Sequence, residues 1–184
     1  MKNSINDNDL LKMLIDEPTR REAFSILVNK YKQRLYWHIR KMVIVHEDAD
    51  DILQNTFIKA WTNIDKFRGE ANILTWLYRI ATNETMDFFN SAHSKHSNNT
   101  VNLDDAPALQ IENDVYFDGD EAQKKLQRAI LSLPNKQRLV FNMRYYDEMP
   151  YAEMSEILGT SEGALKASYH HAVKKIEDFV TAAN

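Results

Sequence analysis

Apolar residues in the first half of the chain recur at helical spacing in three runs. Phe24, Leu27, Val28, Tyr31, Leu35, Ile39 and Met42 form the first; Ile52, Leu53, Phe57, Ala60, Trp61 and Ile64 the second; Ile73, Trp76, Leu77, Ile80, Ala81 and Phe88 the third. The pattern predicts three amphipathic helices, jointed at His46-Glu47-Asp48 and at Asp65–Asn72, that bury their stripes in a bundle. Gly69 is the only glycine of this half and a candidate for positive φ in the second joint.

Further along, Leu126, Ala129, Ile130 and Leu133 mark another helix, and Pro134 suits the first turn of the next, through Leu139, Val140 and Met143. Pro150 opens a short helix with Tyr151, Met154, Ile157 and Leu158 facing inward, and Gly159 closes it. Thr160 and Ser161 offer N-cap oxygens and Glu162 suits a helix start, after which Leu165, Tyr169, Ala172, Val173, Ile176 and Phe179 form the stripe of a long last helix. Short helix, glycine turn and longer helix predict a helix-turn-helix. The first 19 residues carry no comparable signal.

Between the halves the pattern stops. From Ser97 to Ala122 there is no Lys or Arg, while Asp104, Asp105, Glu112, Asp114, Asp118, Asp120 and Glu121 supply seven negative charges in 26 residues, with Pro107, Gly119 and the run Ser97–Thr100. This reads as a linker, either a solvated acidic loop or a functional one. It changes how the overall charge is understood. The formal net charge of −4 over 184 residues argues against a nucleic-acid binder, but removing the linker's seven charges leaves +3 on the other 158 residues. From Gly163 to Ile176 no acidic residue occurs, which suits the last helix to a DNA groove; a solvated basic face is the plainer alternative.

Composition narrows the chemistry. Without cysteine, disulfides, thiol nucleophiles and cysteine metal sites are excluded, and only four glycines and four prolines disfavour hairpin-rich sheets and phosphate-cradling loops. The polar start and the absence of a long apolar run predict a cytoplasmic protein without membrane insertion. His93 and His96 have no evident third ligand, and the cluster Glu47, Asp48, Asp50, Asp51 is more simply a helix start, so neither a metal nor a cofactor is expected. No catalytic constellation stands out, and an enzyme is the less favoured class.

Two blocks together carry a resemblance. Asp48–Trp61 (DADDILQNTFIKAW), continuing through Asp65–Asn83, resembles the sigma-2 domain of bacterial extracytoplasmic-function (ECF) RNA polymerase sigma factors, of the sigma-70 family, and Leu133–Ile176 resembles their sigma-4 domain. The likeness spans about residues 23–176. It implies an all-α protein of two small helical domains, a sigma-2 bundle and a sigma-4 helix-turn-helix, joined by a flexible acidic linker. The expected divisions are an extension at 1–19, sigma-2 at 20–93, the linker at 94–122 and sigma-4 at 123–181. The implied function is transcription initiation: binding core RNA polymerase, directing it to promoters by reading their minus-10 and minus-35 elements, and assisting melting, with no catalysis by the chain itself. An anti-sigma factor is the implied further partner, and the free protein is expected to be a monomer.

The resemblance also assigns residues. Asp48, Asp51, Gln54 and Phe57, with Ile58 and Trp61, match the face that docks on core polymerase; the first three share one helical face by their spacing. Phe67, Arg68, Gly69, Asn72, Trp76, Arg79 and Asn83 match the part that opens and reads the minus-10 element, where aromatic groups and cations suit unstacked bases and phosphates. Trp76 suits the buried stripe equally well. Arg144, Lys166, Ala167, Ser168, His170, His171 and Lys174 match the minus-35 reader. Where the family often has Gly-Thr-Val-Lys/Arg-Ser-Arg, this chain has Gly163, Ala164, Leu165, Lys166, Ala167 and Ser168, which removes a hydroxyl and an arginine from phosphate anchoring. Protonation of His170 and His171 would make binding mildly pH-sensitive.

The linker can be measured against this task. A flexible 26-residue chain spans roughly 28 Å on average and at most about 90 Å, while promoter elements one and a half turns apart are separated by about 50 to 60 Å. Stretching is needed, which the polymerase's basic RNA path would supply to an acidic strand; in the free protein the same acids could fold back over Arg79 or Lys166. Two rivals stay open on the residues alone: an activator that binds duplex DNA without polymerase, and an adaptor that binds protein only.

Overall fold

A computed structural model of the chain describes residues 6–43, 45–67, 72–96 and 120–182. In order along the chain the helices are α1 (Asp7–Ile15), α2 (Glu17–Arg40), α3 (His46–Thr62), a 3-10 turn (Ile64–Lys66), α4 (Ile73–His96), α5 (Glu121–Leu131), α6 (Asn135–Tyr145), α7 (Tyr151–Leu158) and α8 (Glu162–Thr181). The described residues contain no strand.

The three predicted helices of the first half are α2, α3 and α4, which pack on one another. Their stripes supply Leu27, Leu35, Ile39, Ala49, Ile52, Ala60, Ile73, Leu77 and Ala81, all buried. One joint differs from expectation: His46, Glu47 and Asp48 are the first turn of α3 rather than a break. Acids at a helix start offset the positive end of its dipole, and the chain turns before them, at Lys41 and Met42.

The silent N-terminal stretch is helical. Asn6 caps α1 by accepting from the Asp9 backbone N–H, Leu10 and Leu14 are buried against α2, and Asp7 accepts from Lys30 (2.7 Å) and from Tyr31 Oη (2.6 Å). Because α2 begins at Glu17, with Pro18 in its first turn, the helix starts three residues before position 20.

In the second half, Asp120 and Gln123 form a reciprocal capping box on α5, so Asp120, with Glu121 beside it, belongs to a helix start rather than to an open linker. Gly159 ends α7 in the left-handed region (φ 61°), where a side chain is disfavoured, and Ser161 caps α8 through Ala164 N–H at 3.3 Å. α5, α6 and α8 enclose a small core built from Ala129, Ile130, Leu133, Phe141, Ala172 and Ile176.

The halves do not stand apart. Leu139, Val140, Met143, Met149, Met154, Ile157 and Leu165 of the second half join the same apolar cluster as Leu35, Ile39, Leu77 and Tyr78 of the first, and α7 lies along α4. The acidic stretch between them, apart from residues 120–122, is outside the described residues.

Candidate nucleic-acid and protein interfaces

On α3, Asp51, Gln54, Ile58 and Trp61 fall at successive helical turns and all are exposed, while Asp48 is half-buried at the head of the row. Burial, then the charges of Asp51 and Glu47, pushes the Asp48 carboxyl above its ordinary range. Phe57 turns partly inward and meets Phe24 edge-on at 6.4 Å; Trp61 also meets Phe24, at 5.0 Å. The row therefore ends in two large apolar groups left in water, Ile58 at 53% and Trp61 at 40% exposure, beside carboxylates and an amide. Such a stripe suits a protein partner with basic rim and apolar centre.

Where α3 ends, a cavity of about 550 Å³ opens between α3 and α4. Lys59, Lys66 and Asn63 line one side; Trp76, Ile80 and Asn83 line the other. Trp76 packs its ring against Phe67 at 5.0 Å, and Phe67 itself is 9% exposed, so Phe67 supports the tryptophan from within the core. Asn72 starts α4, its side-chain oxygen accepting from Leu74 N–H at 2.9 Å. Lys59 pairs with Glu84, whose hydrogen bond, against a smaller burial effect, holds the ammonium above the usual lysine range. Lys66 donates to Asn63 at 2.9 Å. Glu84 and Asp87 line the same concavity and balance the two lysines, so its affinity for an unstacked base rests on the aromatic wall and the amides, with Lys66 at the rim for a phosphate. Lys59, Asn63 and Lys66 were not singled out from sequence; Lys59 on α3 and Lys66 at the start of the joint are seven residues apart, a spacing of two helical turns that a count could have flagged. Arg68 and Gly69 lie outside the described residues.

Arg79 and Asn83 are both exposed one turn apart on α4, and both point to the second half. Arg79 donates to the backbone carbonyl of Glu156 on α7, and Asn83 lines a second cavity, of about 300 Å³, with Ala164, Leu165 and Ser168 of α8.

The start of α8 presents Lys166, Ala167, His170, His171 and Lys174 to solvent, with Ser168 half-buried. Lys166 pairs with Glu162 at 3.4 Å and lies 5.5 Å over the Tyr151 ring. Arg144 reaches the edge of this face from α6: half-buried, it donates to the Met149 carbonyl at 3.3 Å and lies 5.3 Å from the same ring. The arginine thus braces the helix-turn-helix. No group of three metal-binding side chains occurs among the described residues, and the side chains of His93 and His96 lie outside them. No described helix is long and apolar enough to cross a membrane.

Comparison with known proteins follows the same division. The family model for sigma-70 region 2 matches residues 27–94 and that for sigma-70 region 4 matches residues 123–176. The chain is 32% identical over 159 residues to the ECF RNA polymerase sigma factor SigW of Bacillus subtilis, covering 82% of this chain and 84% of the relative. It is 28% identical over 168 residues to the ECF RNA polymerase sigma-E factor of Escherichia coli, covering 87% of each. Among solved structures, CnrH in complex with the cytosolic domain of CnrY superposes with a TM-score of 0.70 at 22% identity, over 97% of this chain and 99% of that one. The sigma factor RpoE of Bartonella quintana, in complex with the anti-sigma factor NepR, gives 0.63 at 17% identity, over 88% and 98%.

Proposed function

From the premise that this chain belongs to the ECF sigma factors of RNA polymerase, we propose that it works through three surfaces of its own: the α3 stripe, the α3–α4 cavity and the open face of α8. The protein is a promoter-specific transcription initiation factor. It binds core RNA polymerase, brings it to promoters and helps open them, and the polymerase performs the chemistry. Asp48, Asp51, Gln54, Phe57, Ile58 and Trp61 dock on the polymerase, the carboxylates meeting basic residues and the two exposed apolar side chains filling the centre of the contact.

Melting is driven by capture. A base of the minus-10 element that leaves the stack loses its neighbours, and the Trp76 wall with the Asn63 and Asn83 amides replaces them while Lys59, Lys66 and Arg68 hold the backbone. The chain stores no energy for this step; it stabilises the open state by binding it. The face of α8 enters the major groove of the minus-35 element, Lys166 and Lys174 on phosphates, His170 and His171 toward base edges. A chain with this task acts in the cytoplasm, needs no cofactor of its own, and has an anti-sigma factor as a natural partner, as the Bartonella quintana relative does.

The observation that carries this reading is the coexistence of the cation-and-aromatic cavity with an acid-free helix-turn-helix face on one chain. Reconstitution tests it. Core polymerase mixed with the chain should yield promoter-dependent transcripts, and Asp51→Arg or Gln54→Ala should weaken core binding. Sequence-specific duplex binding with no affinity for core would instead identify an activator.

A further inference from the structure

A single side chain ties the end of α1 to the joint between α3 and α4. Arg20, in the first turn of α2, folds its guanidinium back over α1: Nε donates to the Leu14 carbonyl at 3.0 Å and Nη2 to the Ile15 carbonyl at 3.2 Å. Both are among the last carbonyls of α1, which a helix leaves without internal partners and which form the negative end of its dipole. Thr19 adds a bond from Oγ1 to the Met13 carbonyl at 2.8 Å. The third nitrogen of Arg20, Nη1, reaches the 3-10 turn and pairs with Asp65 Oδ1 at 2.9 Å. All three nitrogens of the fork are engaged, two on α1 and one on the joint.

The joint it holds borders the α3–α4 cavity. Lys66 lines that cavity, and Phe67 backs the Trp76 ring at 5.0 Å. The backbone gives this turn little support of its own, only the bonds from Lys66 N–H to the Asn63 carbonyl (3.0 Å) and from Phe67 N–H to the Ile64 carbonyl (3.1 Å), in the weaker 3-10 geometry. The directions of Lys66 and Phe67 therefore depend on how the residue before them is held. Asp65 is also an acid directly beside the rim cation. Left unpaired, its carboxylate would oppose a phosphate approaching Lys66; paired with Arg20, it does not.

Stability alone does not account for the pair. The Asp65 side chain is 69% exposed and that of Arg20 23%, and an ion pair so open to water adds little to a fold whose helices are already held by their apolar stripes. What the contact fixes is direction, because a planar guanidinium with every nitrogen engaged has no freedom to swing. A contact of small worth to the bundle, placed where it aims two residues of a binding cavity, is a positioning device.

We propose that Arg20 is a positioning residue for promoter opening: by clamping the end of α1 to Asp65 it sets the 3-10 turn so that Phe67 supports Trp76 and Lys66 faces the phosphate of a captured base. The N-terminal helix thereby serves the base-capture cavity without touching DNA. This role rests on the sigma-factor reading of the cavity; the clamp itself does not.

The test uses the full chain with core polymerase. The wild-type holoenzyme first selects a promoter from a pool of random duplex fragments, and that promoter is then transcribed both as a duplex and with its minus-10 segment held open by mismatches. Arg20→Gln should lower transcript yield on the duplex about three- to tenfold, the equivalent of losing about half of one base–aromatic contact. Arg20→Lys should fall less, since it keeps the charge without the fork. Adding Asp65→Asn to Arg20→Gln should recover part of the loss, because it removes the stranded carboxylate beside Lys66. On the mismatched template the losses should largely disappear, since a segment already open does not depend on capture to open it. Core binding, read by anisotropy, should be unchanged throughout, which separates mispositioning from misfolding. Full activity of Arg20→Gln on the duplex overturns the proposal, and so does an equal loss on both templates, which would reduce the clamp to a brace of the fold. A wild-type chain that binds core yet selects no promoter overturns the sigma reading, and the role of Arg20 with it.

Discussion

Ile58 offers a clean separation of folding from partner binding. It sits mid-stripe on α3 with 53% of its surface in water, so its side chain contributes little to the core of the bundle. Full burial of an isoleucine side chain gains roughly 1.5–3 kcal/mol. The exposed half therefore holds roughly 0.8–1.6 kcal/mol in reserve for a partner. Alanine retains the β-carbon and with it about a quarter of that area, so Ile58→Ala should forfeit roughly 0.6–1.2 kcal/mol of core-polymerase binding. At about 1.4 kcal/mol per decade this is a threefold to eightfold rise in Kd. Stability should change by no more than about 0.5 kcal/mol, as for other exposed positions. Anisotropy of a chain labelled at Lys12→Cys, titrated with core polymerase, reads the first quantity, and a thermal melt of the same sample reads the second. An unchanged Kd, alongside a strong loss for Asp51→Arg, would place the apolar half of the stripe outside the contact and refute the argument.

Three further outcomes follow from particular geometries. Glu148 holds φ at 51°, where an L-residue is strained and glycine is not; against the extra unfolded-state freedom of glycine, Glu148→Gly should gain about 0.5–1 kcal/mol and raise Tm by roughly 1–4 °C in a calorimetric scan. Burial pushes the Asp147 carboxyl up, but the hydrogen bond and charge of His38, then those of Lys41, outweigh it and hold the group below the carboxylate range. Its contribution is therefore complete above the ordinary carboxylate pKa and disappears as pH falls through the lowered one, so stability curves of the wild type and Asp147→Asn should run parallel above about pH 5 and converge below about pH 4; a gap that widens on acidification would contradict this. Lys174→Ala should reduce the slope of log Kd against log salt by about 1 on a random duplex, as expected for one lost phosphate contact, while leaving Tm unchanged.

Much of the fold was legible because the helices are amphipathic and punctuated. The stripes from Leu27 to Ile39 and from Ile73 to Ala81 are the buried faces of α2 and α4, and Gly159 with Ser161 brackets the turn of the helix-turn-helix as their chemistry demands. The start of α3 was misjudged because acids read equally as a break or as a helix head; the dipole decides it, and periodicity does not see the dipole. The N-terminal helix was silent because its nine residues fully bury only Leu10 and Leu14, with Leu11 and Met13 partly covered, and the tertiary pairing of Asp7 with Lys30 and Tyr31 helps to seat it.

The binding surfaces divide in the same way. Residues in register on one helix, Asp51 through Trp61 on α3 or Lys166 through Lys174 on α8, are recoverable by counting turns, since 3.6-residue spacing already states which side chains share a face. Arg144 escapes that rule: its guanidinium is oriented by the Met149 carbonyl and the Tyr151 ring, partners five and seven residues away across a turn. The polar contact of Asp147 with His38 and Lys41 escapes it further. Charge counting points to the acidic linker as a mask for Arg79; that stretch lies outside the described residues, whereas among the described ones Arg79 donates to the Glu156 backbone carbonyl and the acid at the seam is Asp147, within a turn of the helix-turn-helix. Composition weighs charges without location, so it cannot register a single carboxylate buried beside His38 and Lys41, where low polarisability makes one charge count for more than it does in water.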